Sequence, residues 1–122
     1  METRTRTRDR NALALVQDWY DKPDAALLSP DFGCKAIGYP TARGSYHGAK
    51  GMLDEFFAEI GRKYAKWSVE VERMIDAGDE VVVIGSYDAR PNGGDDATYP
   101  FVHVWTAGGG AIRSVICCTD VR

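Results

Sequence analysis

Apolar positions recur at intervals of three and four in two segments of the chain, as they do along one face of a helix. The first segment follows Asn11, a residue type that caps helices, and Pro23 ends it. A short second helix, ended by Pro30, is predicted over 25–28. The longest helix is predicted over about 49–64, where an apolar stripe lies opposite charged residues.

The remainder of the chain has the patterns of β-strands. A short strand is predicted over 32–39, and the alternation of Val and Glu over 69–72 is typical of a strand with one buried face. The run over 81–84 is apolar throughout, which indicates a strand covered on both faces. Two further strands are predicted over 99–106 and 111–119. This order predicts an α+β fold, a curved antiparallel β-sheet wrapped around N-terminal helices.

Composition adds limits to this picture. The chain has 122 residues, 44% of them apolar, and no linker or repeat divides it, so residues 11–122 are predicted to form a single domain. Residues 1–10 hold four arginines against two acidic residues and are predicted to be a disordered basic N-terminal arm. The net charge of −3 then leaves −5 on the domain, which argues against nucleic-acid binding.

Cysteine content and hydropathy point to a location. Three cysteines, an odd number, do not make a disulfide framework. No apolar run approaches the roughly 18 residues of a membrane span, and the N-terminus lacks the apolar stretch of a secretory signal. A cytoplasmic protein without a membrane partner is therefore predicted.

Four segments, in this order, resemble the SnoaL-like, ketosteroid-isomerase-related branch of the nuclear transport factor two-like superfamily. They are the helix at 12–20, the segment Gly-Ser-Tyr-His-Gly at 44–48, the turn at 75–83 and the hairpin at 100–112 with the strand that follows it. The resemblance covers about nine-tenths of the chain. It implies a cone-shaped α+β barrel, an apolar internal cavity, and a homodimer formed through the outer face of the sheet.

The resemblance also implies where acid–base groups would lie. The isomerases place a tyrosine on the first helix, an aspartate base in the first strand and a protonated carboxylic acid in a late strand. At the matching positions this chain has Trp19 with Tyr20 beside it, Tyr39, and Val102 or, with a slip of one residue, His103. At least two of the three groups are missing, so steroid isomerisation by the usual residues is not expected. Related polyketide cyclases have an acidic residue on the last strand, where this chain has Cys117.

Several side chains remain as candidates for a site. His103, Tyr20 and Tyr39 are the candidate catalytic residues, because a neutral imidazole exchanges a proton near neutral pH and a phenol donates a hydrogen bond to a carbonyl. The candidate substrate-binding residues are Trp19, Phe57, Val102, Trp105, Cys117 and Asp120. Two histidines without a carboxylate at short helical spacing do not support a metal site, and the absence of a phosphate-binding or dinucleotide motif predicts no cofactor.

The sequence leaves open which face of the last hairpin lines the cavity. With 107–110 as its loop, His103 would pair with Ser114 and share a face with Trp105 and Asp120. The resemblance instead favours Val102 and Cys117 inside, which would place His103 and Asp120 at the dimer face. A register slip of one residue exchanges the two faces.

Three kinds of function remain compatible with the sequence. The first is an enzyme that acts on a hydrophobic carbonyl compound by acid–base chemistry, and the second is a binding protein that takes up a small hydrophobic molecule without chemistry. The third is a dimeric scaffold whose cavity is filled by side chains. A His103 that points into an open cavity and hydrogen-bonds a tyrosine or Asp120 would favour the enzyme.

Overall fold

One curved six-stranded sheet and two helices make up the structure, a computed structural model that describes residues 11–121. The helices are α1, Ala12–Asp21, and α2, which passes without a break through an α-helical Gly48–Lys50, a π-helical Gly51–Phe56 and an α-helical Phe57–Lys63. The strands are β1 Leu28–Ile37, β2 Ser45–His47, β3 Tyr64–Ala77, β4 Glu80–Pro91, β5 Ala97–Gly108 and β6 Ala111–Thr119. The predicted basic arm at 1–10 lies outside the described residues.

The strand order across the sheet is β2-β1-β6-β5-β4-β3. Every neighbouring pair is antiparallel except β1 and β6, which run parallel. The parallel pair arises because the chain crosses from β2 through α2 to the far edge of the sheet, and then returns strand by strand until β6 lies beside β1. The predicted α+β fold is confirmed, with a mixed sheet in place of a purely antiparallel one.

Near the start of the described residues, the predicted helix cap is confirmed but the predicted second helix is not. The side-chain oxygen of Asn11 accepts a hydrogen bond from the backbone N–H of Ala14 at 2.8 Å, and α1 begins there as expected. Residues 25–27 form only a 3-10 turn, and β1 begins at Leu28. Pro30 lies within this strand because the pairing with β6 is irregular between Leu28 and Gly33, where no ladder hydrogen bond is required of it.

The hairpin between β5 and β6 decides which side chains face inward. Gly109 and Gly110 both have positive φ values, 64° and 80°, and close a turn of two residues rather than the expected four. A bulge places Arg113 as an extra residue in β6. Together these shift the predicted register by three residues, so His103 lies opposite Cys117 and not Ser114. Because three is odd, the β6 residues that share a face with His103 are the ones predicted to lie on the opposite face.

The concave face of the sheet packs against both helices and holds the core. β3 has a bulge between Val71 and Arg73, directly beside Gly85 of β4, and a bulge bends the strand that carries it. A Cβ at Gly85 would lie 2.1 Å from the carbonyl oxygen of Glu70 and 2.8 Å from the ring of Phe101, so the close approach requires glycine. This bend curls the sheet around the space that the helices close.

The convex face of the sheet is apolar and open in the single chain. One row of cross-strand neighbours is Ile75, Val82, Val104 and Ile116, and a second is Ile84, Val102 and Cys118. Val82 and Ile84 are half-buried whereas Val81 and Val83 are fully buried, so the run predicted to be covered on both faces is covered on one.

No helix among residues 11–121 is long and apolar enough to cross a membrane.

Candidate functional site

A cavity of about 430 Å³ lies between the concave face of the sheet and the two helices. This volume is within the usual range for small-molecule sites. Its lining is mostly aromatic: Trp19, Tyr20, Pro23, Tyr39, Met52, Phe56, Phe57, Ile60, Gly61, Tyr64, Trp67, Val69, Tyr87, His103, Trp105 and Cys117. All three tryptophans of the chain are in this lining. The apolar cavity that the resemblance implies is therefore present.

Four lining residues are exposed and mark the mouth of the cavity. They are Pro23, after α1, Phe57 and Gly61 on α2, and Val69 on β3. No side chain of Asp, Glu, Lys or Arg is among the lining residues of the described chain. Both the mouth and the interior are therefore electrically neutral at pH 7, and a charged ligand would lose its hydration without gaining a counter-charge.

Polar side chains reach the cavity from separate elements. Tyr20 comes from the last turn of α1, Tyr87 from the inward side of β4, and His103 and Trp105 from the inward side of β5. Tyr39 follows β1 by way of Gly38, whose φ of 82° turns the chain against the carbonyl oxygen of Thr119. A Cβ at Gly38 would lie 2.0 Å from that oxygen, so only glycine permits the turn that brings Tyr39 inward.

These side chains form one hydrogen-bonded group, here called the tyrosine–histidine cluster: Tyr20, Tyr39, Tyr87 and His103. The hydroxyl of Tyr20 hydrogen-bonds Nδ1 of His103 and also accepts from the indole Nε1–H of Trp105 at 2.9 Å. On the other side of the ring, Nε2 of His103 lies 2.6 Å from the hydroxyl of Tyr87 and 3.3 Å from that of Tyr39. The two hydroxyls are 2.5 Å apart. Both ring nitrogens thus have phenolic partners.

Burial keeps every member of the cluster uncharged at neutral pH. Desolvation lowers the pKa of His103 from 6.5 to about 3, and the ring of Phe101 stacks on the imidazole with ring centres 4.0 Å apart. Desolvation also raises the pKa values of Tyr20, Tyr39 and Tyr87 well above 10. His103 is therefore a weak base, and the three phenols hold their protons and act as hydrogen-bond donors.

Cys117 lies beside the cluster and is held as a neutral thiol. Its pKa is raised first by its interaction with the thiol of Cys34 and then by burial, while the interaction with Tyr39 acts in the opposite sense. A thiol in this state is a poor nucleophile. Cys118 points to the opposite face of the sheet, as expected for a neighbour on a strand.

The structure brings most of the candidate residues together. Seven of them line the cavity: Tyr20, Tyr39, His103, Trp19, Phe57, Trp105 and Cys117. Val102 and Asp120 line a shallow depression on the convex face, which corrects their predicted place in the cavity. His103 is inside, not at the convex face as the resemblance suggested. The physical reason is the hairpin register, which puts His103 and Cys117 side by side.

Tyr87 is a member of the cluster that sequence reasoning missed. The signal for it was available, because Tyr87 continues the alternation of inward positions that starts at Val81 and Val83 on the same strand. The apolar run at 81–84 covers only the start of this strand, and Tyr87 lies beyond it. As for metals, residues 11–121 contain no group of three or more His, Cys, Asp or Glu side chains placed to hold an ion.

Comparison with known proteins agrees with this fold. The model of the SnoaL-like domain family matches residues 16–115. A nuclear transport factor two-like protein from Burkholderia thailandensis superposes with a TM-score of 0.82 at 24% identity, over 91% of this chain and 92% of its own. No protein of curated function is similar in sequence at a significant level.

Two further similar structures carry more specific descriptions. TerC, co-crystallised with polyporic acid, superposes with a TM-score of 0.77 at 24% identity over 88% of this chain and 90% of its own. A putative SnoaL-like polyketide cyclase from Jannaschia does so with a TM-score of 0.72 at 19% identity over 88% and 84%. At these identities the likeness shows the fold alone. The family match, which spans most of the chain, shows that this protein belongs to the SnoaL-like domain family.

Proposed function

We propose that the protein binds a small, neutral, largely apolar molecule in the cavity and polarises a carbonyl group on it by hydrogen bonding. The observation that supports this most directly is the combination of an uncharged aromatic cavity with the tyrosine–histidine cluster on its inner wall. Aromatic walls favour flat apolar ligands, and a few convergent polar groups orient them. A putative polyketide cyclase and TerC with polyporic acid, among the similar structures, agree with such a ligand.

The chemistry that fits the cluster is stabilisation of negative charge on oxygen. His103 resists protonation, so it is a poor final acceptor for a proton taken from carbon. The phenols keep their protons, and a phenol hydroxyl pointed at a carbonyl oxygen stabilises the negative charge that develops there during enolisation or ring closure. The substrates that suit such a site have a C–H that is already acidic, because no carboxylate lines the described cavity to act as a strong base.

Binding without chemistry is the second candidate function. The same lack of a cavity carboxylate favours it, because proton removal from an ordinary carbon acid needs a placed base. Both candidates require a ligand in the cavity, and only the first requires turnover of that ligand. Binding is therefore the first property to test.

Blocking the mouth of the cavity is expected to weaken ligand binding while leaving the fold intact. Gly61 is exposed on α2, and nothing lies within 4 Å of a Cβ built on it, so Gly61→Phe places a ring at the mouth without a clash in the core. Because all three tryptophans line the cavity, their fluorescence reports a ligand directly. In titrations with steroids, terpenoids and aromatic polyketides, we expect the variant to weaken binding by about tenfold or more.

Gly61→Ala is the matched control, since it adds only a methyl group at the same position. Binding to the native protein and to Gly61→Ala, with loss in Gly61→Phe, supports the proposal. Equal affinity in all three would place the ligand elsewhere, and failure of the whole panel to bind would leave a scaffold as the better account.

We propose further that a second copy of the chain covers the convex face. The two rows of apolar neighbours there extend over four strands, and Val102 and Ile116 are 38% and 41% exposed in the single chain. An apolar patch that continues across four strands is typical of an interface.

Charge in the middle of this face is expected to separate the dimer. Ile116→Glu would bury a carboxylate against apolar side chains in the dimer but leave it in water in the monomer. Sedimentation at micromolar concentration should give about twice the 13.4 kDa of one chain for the native protein and about one chain mass for the variant. Lys50→Glu, on exposed helix surface, is the control. A native protein that sediments as one chain would contradict the proposal.

A further inference from the structure

The hydrogens of the tyrosine–histidine cluster can be counted, and the count leaves one over. Trp105 supplies an indole N–H, the three tyrosines each supply an O–H, and neutral His103 supplies one N–H. These five hydrogens serve a chain of four contacts, from Trp105 to Tyr20 to His103 to Tyr87 to Tyr39. Each contact uses one hydrogen, so one hydroxyl of the chain has a hydrogen to offer elsewhere.

The indole of Trp105 fixes the direction of the hydrogen bond at one end of this hydrogen-bonded line. An indole N–H donates and never accepts, so the hydroxyl oxygen of Tyr20 must accept from Trp105. Tyr20 can then do one of two things. It can donate its own hydrogen to Nδ1 of His103, or it can accept a second hydrogen from that nitrogen and keep its own.

The two placements of the remaining hydrogen differ in how the hydrogen bonds align. If Tyr20 keeps its hydrogen, its oxygen accepts two bonds, and the bonds on its two sides point toward each other. If Tyr20 donates to His103, the remaining hydrogen is passed along to Tyr39, at the other end of the hydrogen-bonded line. Every hydroxyl then accepts one bond, all four bonds run in one direction, and such aligned chains strengthen each bond. The hydroxyl of Tyr39, which lines the cavity, then holds the hydrogen that is free for a ligand.

From this asymmetry we infer that Trp105 is a positioning residue, which acts through Tyr20 to hold His103 with its hydrogen on Nε2 and leaves the Tyr39 hydroxyl as the donor that faces a ligand. The hydrogen on Nε2 points to Tyr87, and the longer distance from Nε2 to Tyr39 agrees with a donor shared unequally between two oxygens. The tautomer is a property of the free protein. Only the role of Tyr39 toward a ligand rests on the proposed function.

The tautomer of His103 is measurable by NMR in the free protein labelled with nitrogen-15 histidine. Two-bond nitrogen–proton correlations show which ring nitrogen carries the hydrogen. The chain has two histidines, and His47→Gln, at an exposed position, assigns the signals of His103. We expect a single neutral form with a pyridine-type Nδ1 and a protonated Nε2 at pH 7. A protonated Nδ1 would overturn the inference, whatever the cavity binds.

The part played by Trp105 needs a variant that removes only its N–H. Trp105→Phe removes the donor, and replacement of Trp105 by benzothienylalanine, where sulfur takes the place of the N–H, does so with almost no change in size. In either variant we expect the Nδ1 signal to move from the pyridine type toward the average of the two tautomers. Trp19→Phe is the matched control, because Trp19 is as deeply buried and touches Trp105 but lies outside the hydrogen-bonded chain.

Each outcome bears on a separate statement. A pure Nε2–H form that persists in the benzothienylalanine variant would show that Trp105 does not set the tautomer. A tautomer change in Trp19→Phe as well would assign the effect to general packing, which also overturns the role of Trp105. The ligand titrations with Gly61→Phe can fail while these measurements succeed, and the reverse also holds, so failure of the proposed function is distinguishable from failure of this inference.

Discussion

Lowering the pH from 7 to 4 is expected to cost the folded protein roughly 3 kcal/mol of unfolding free energy through His103 alone. The imidazole has a pKa of about 3 in the folded protein and 6.5 in an ordinary environment. Between these two pH values the imidazole is protonated in the unfolded chain but stays neutral in the folded protein. The contribution of His103 to stability is therefore complete above pH 6.5 and is lost as the pH falls toward 3. Below pH 3 the total loss approaches roughly 5 kcal/mol, which is comparable to the whole stability of many domains.

The pH dependence of His103 can be isolated from that of the carboxylates. Unfolding by denaturant is measured at pH 7 and pH 4 for the native protein and for His103→Gln, which has the same carboxylates but no imidazole at this position. The variant should lose less stability on acidification than the native protein, by the amount given above. His47→Gln, at the exposed histidine, should behave as the native protein does. Equal acid sensitivity of the native protein and His103→Gln would show that the buried imidazole accepts a proton without cost.

Tyr39→Phe is expected to lower kcat/KM by about 100- to 1000-fold on any carbonyl substrate that the protein turns over. The variant removes one hydroxyl and keeps the ring, so the contacts of Tyr39 with Phe56 and Trp67 are preserved. The loss should appear mainly in kcat, because a hydrogen bond to oxygen strengthens as negative charge develops in the transition state. Ligand affinity measured by tryptophan fluorescence should change much less.

Tyr99→Phe is the matched control for this measurement. Like Tyr39, Tyr99 packs against Trp67, but it is buried and is not part of the cavity lining. It should retain its turnover. An unchanged kcat/KM in Tyr39→Phe would exclude this hydroxyl from the chemistry. A ligand that binds and is never converted would make binding alone the better description of the function.

The elements of the fold were largely predictable because they depend on local patterns. The capping by Asn11, the turn at Gly78 and the extent of β6 follow from short-range chemistry that the sequence displays directly. The three-residue strand β2 was missed, since three residues are too few to show a period. The order of the elements was sufficient for the α+β class, and the parallel contact of β1 with β6 was not visible, because strands far apart in sequence form it.

The candidate site was predictable residue by residue but not as an arrangement. Tyr20, Tyr39 and His103 were identified by their chemistry, yet 83 residues separate Tyr20 from His103 and 64 separate Tyr39 from it. The hairpin register that turns His103 inward depends on a turn of two residues and a single bulge, and a slip of one residue would have reversed it. Val102 and Asp120 were misplaced for this reason.

The sequence by itself determined two things about this protein. Its composition supplies an apolar, aromatic-rich interior and neutral groups able to donate hydrogen bonds, and its local patterns specify two helices and a set of long strands. These follow from composition and local spacing, which do not depend on the rest of the fold. Only the tertiary structure decided that His103 lies between Tyr20 and Tyr87, that Trp105 stands at the end of this line, and that burial keeps the whole group uncharged. Such properties depend on distances between strands and on exclusion of water, which arise when the sheet curls around its cavity.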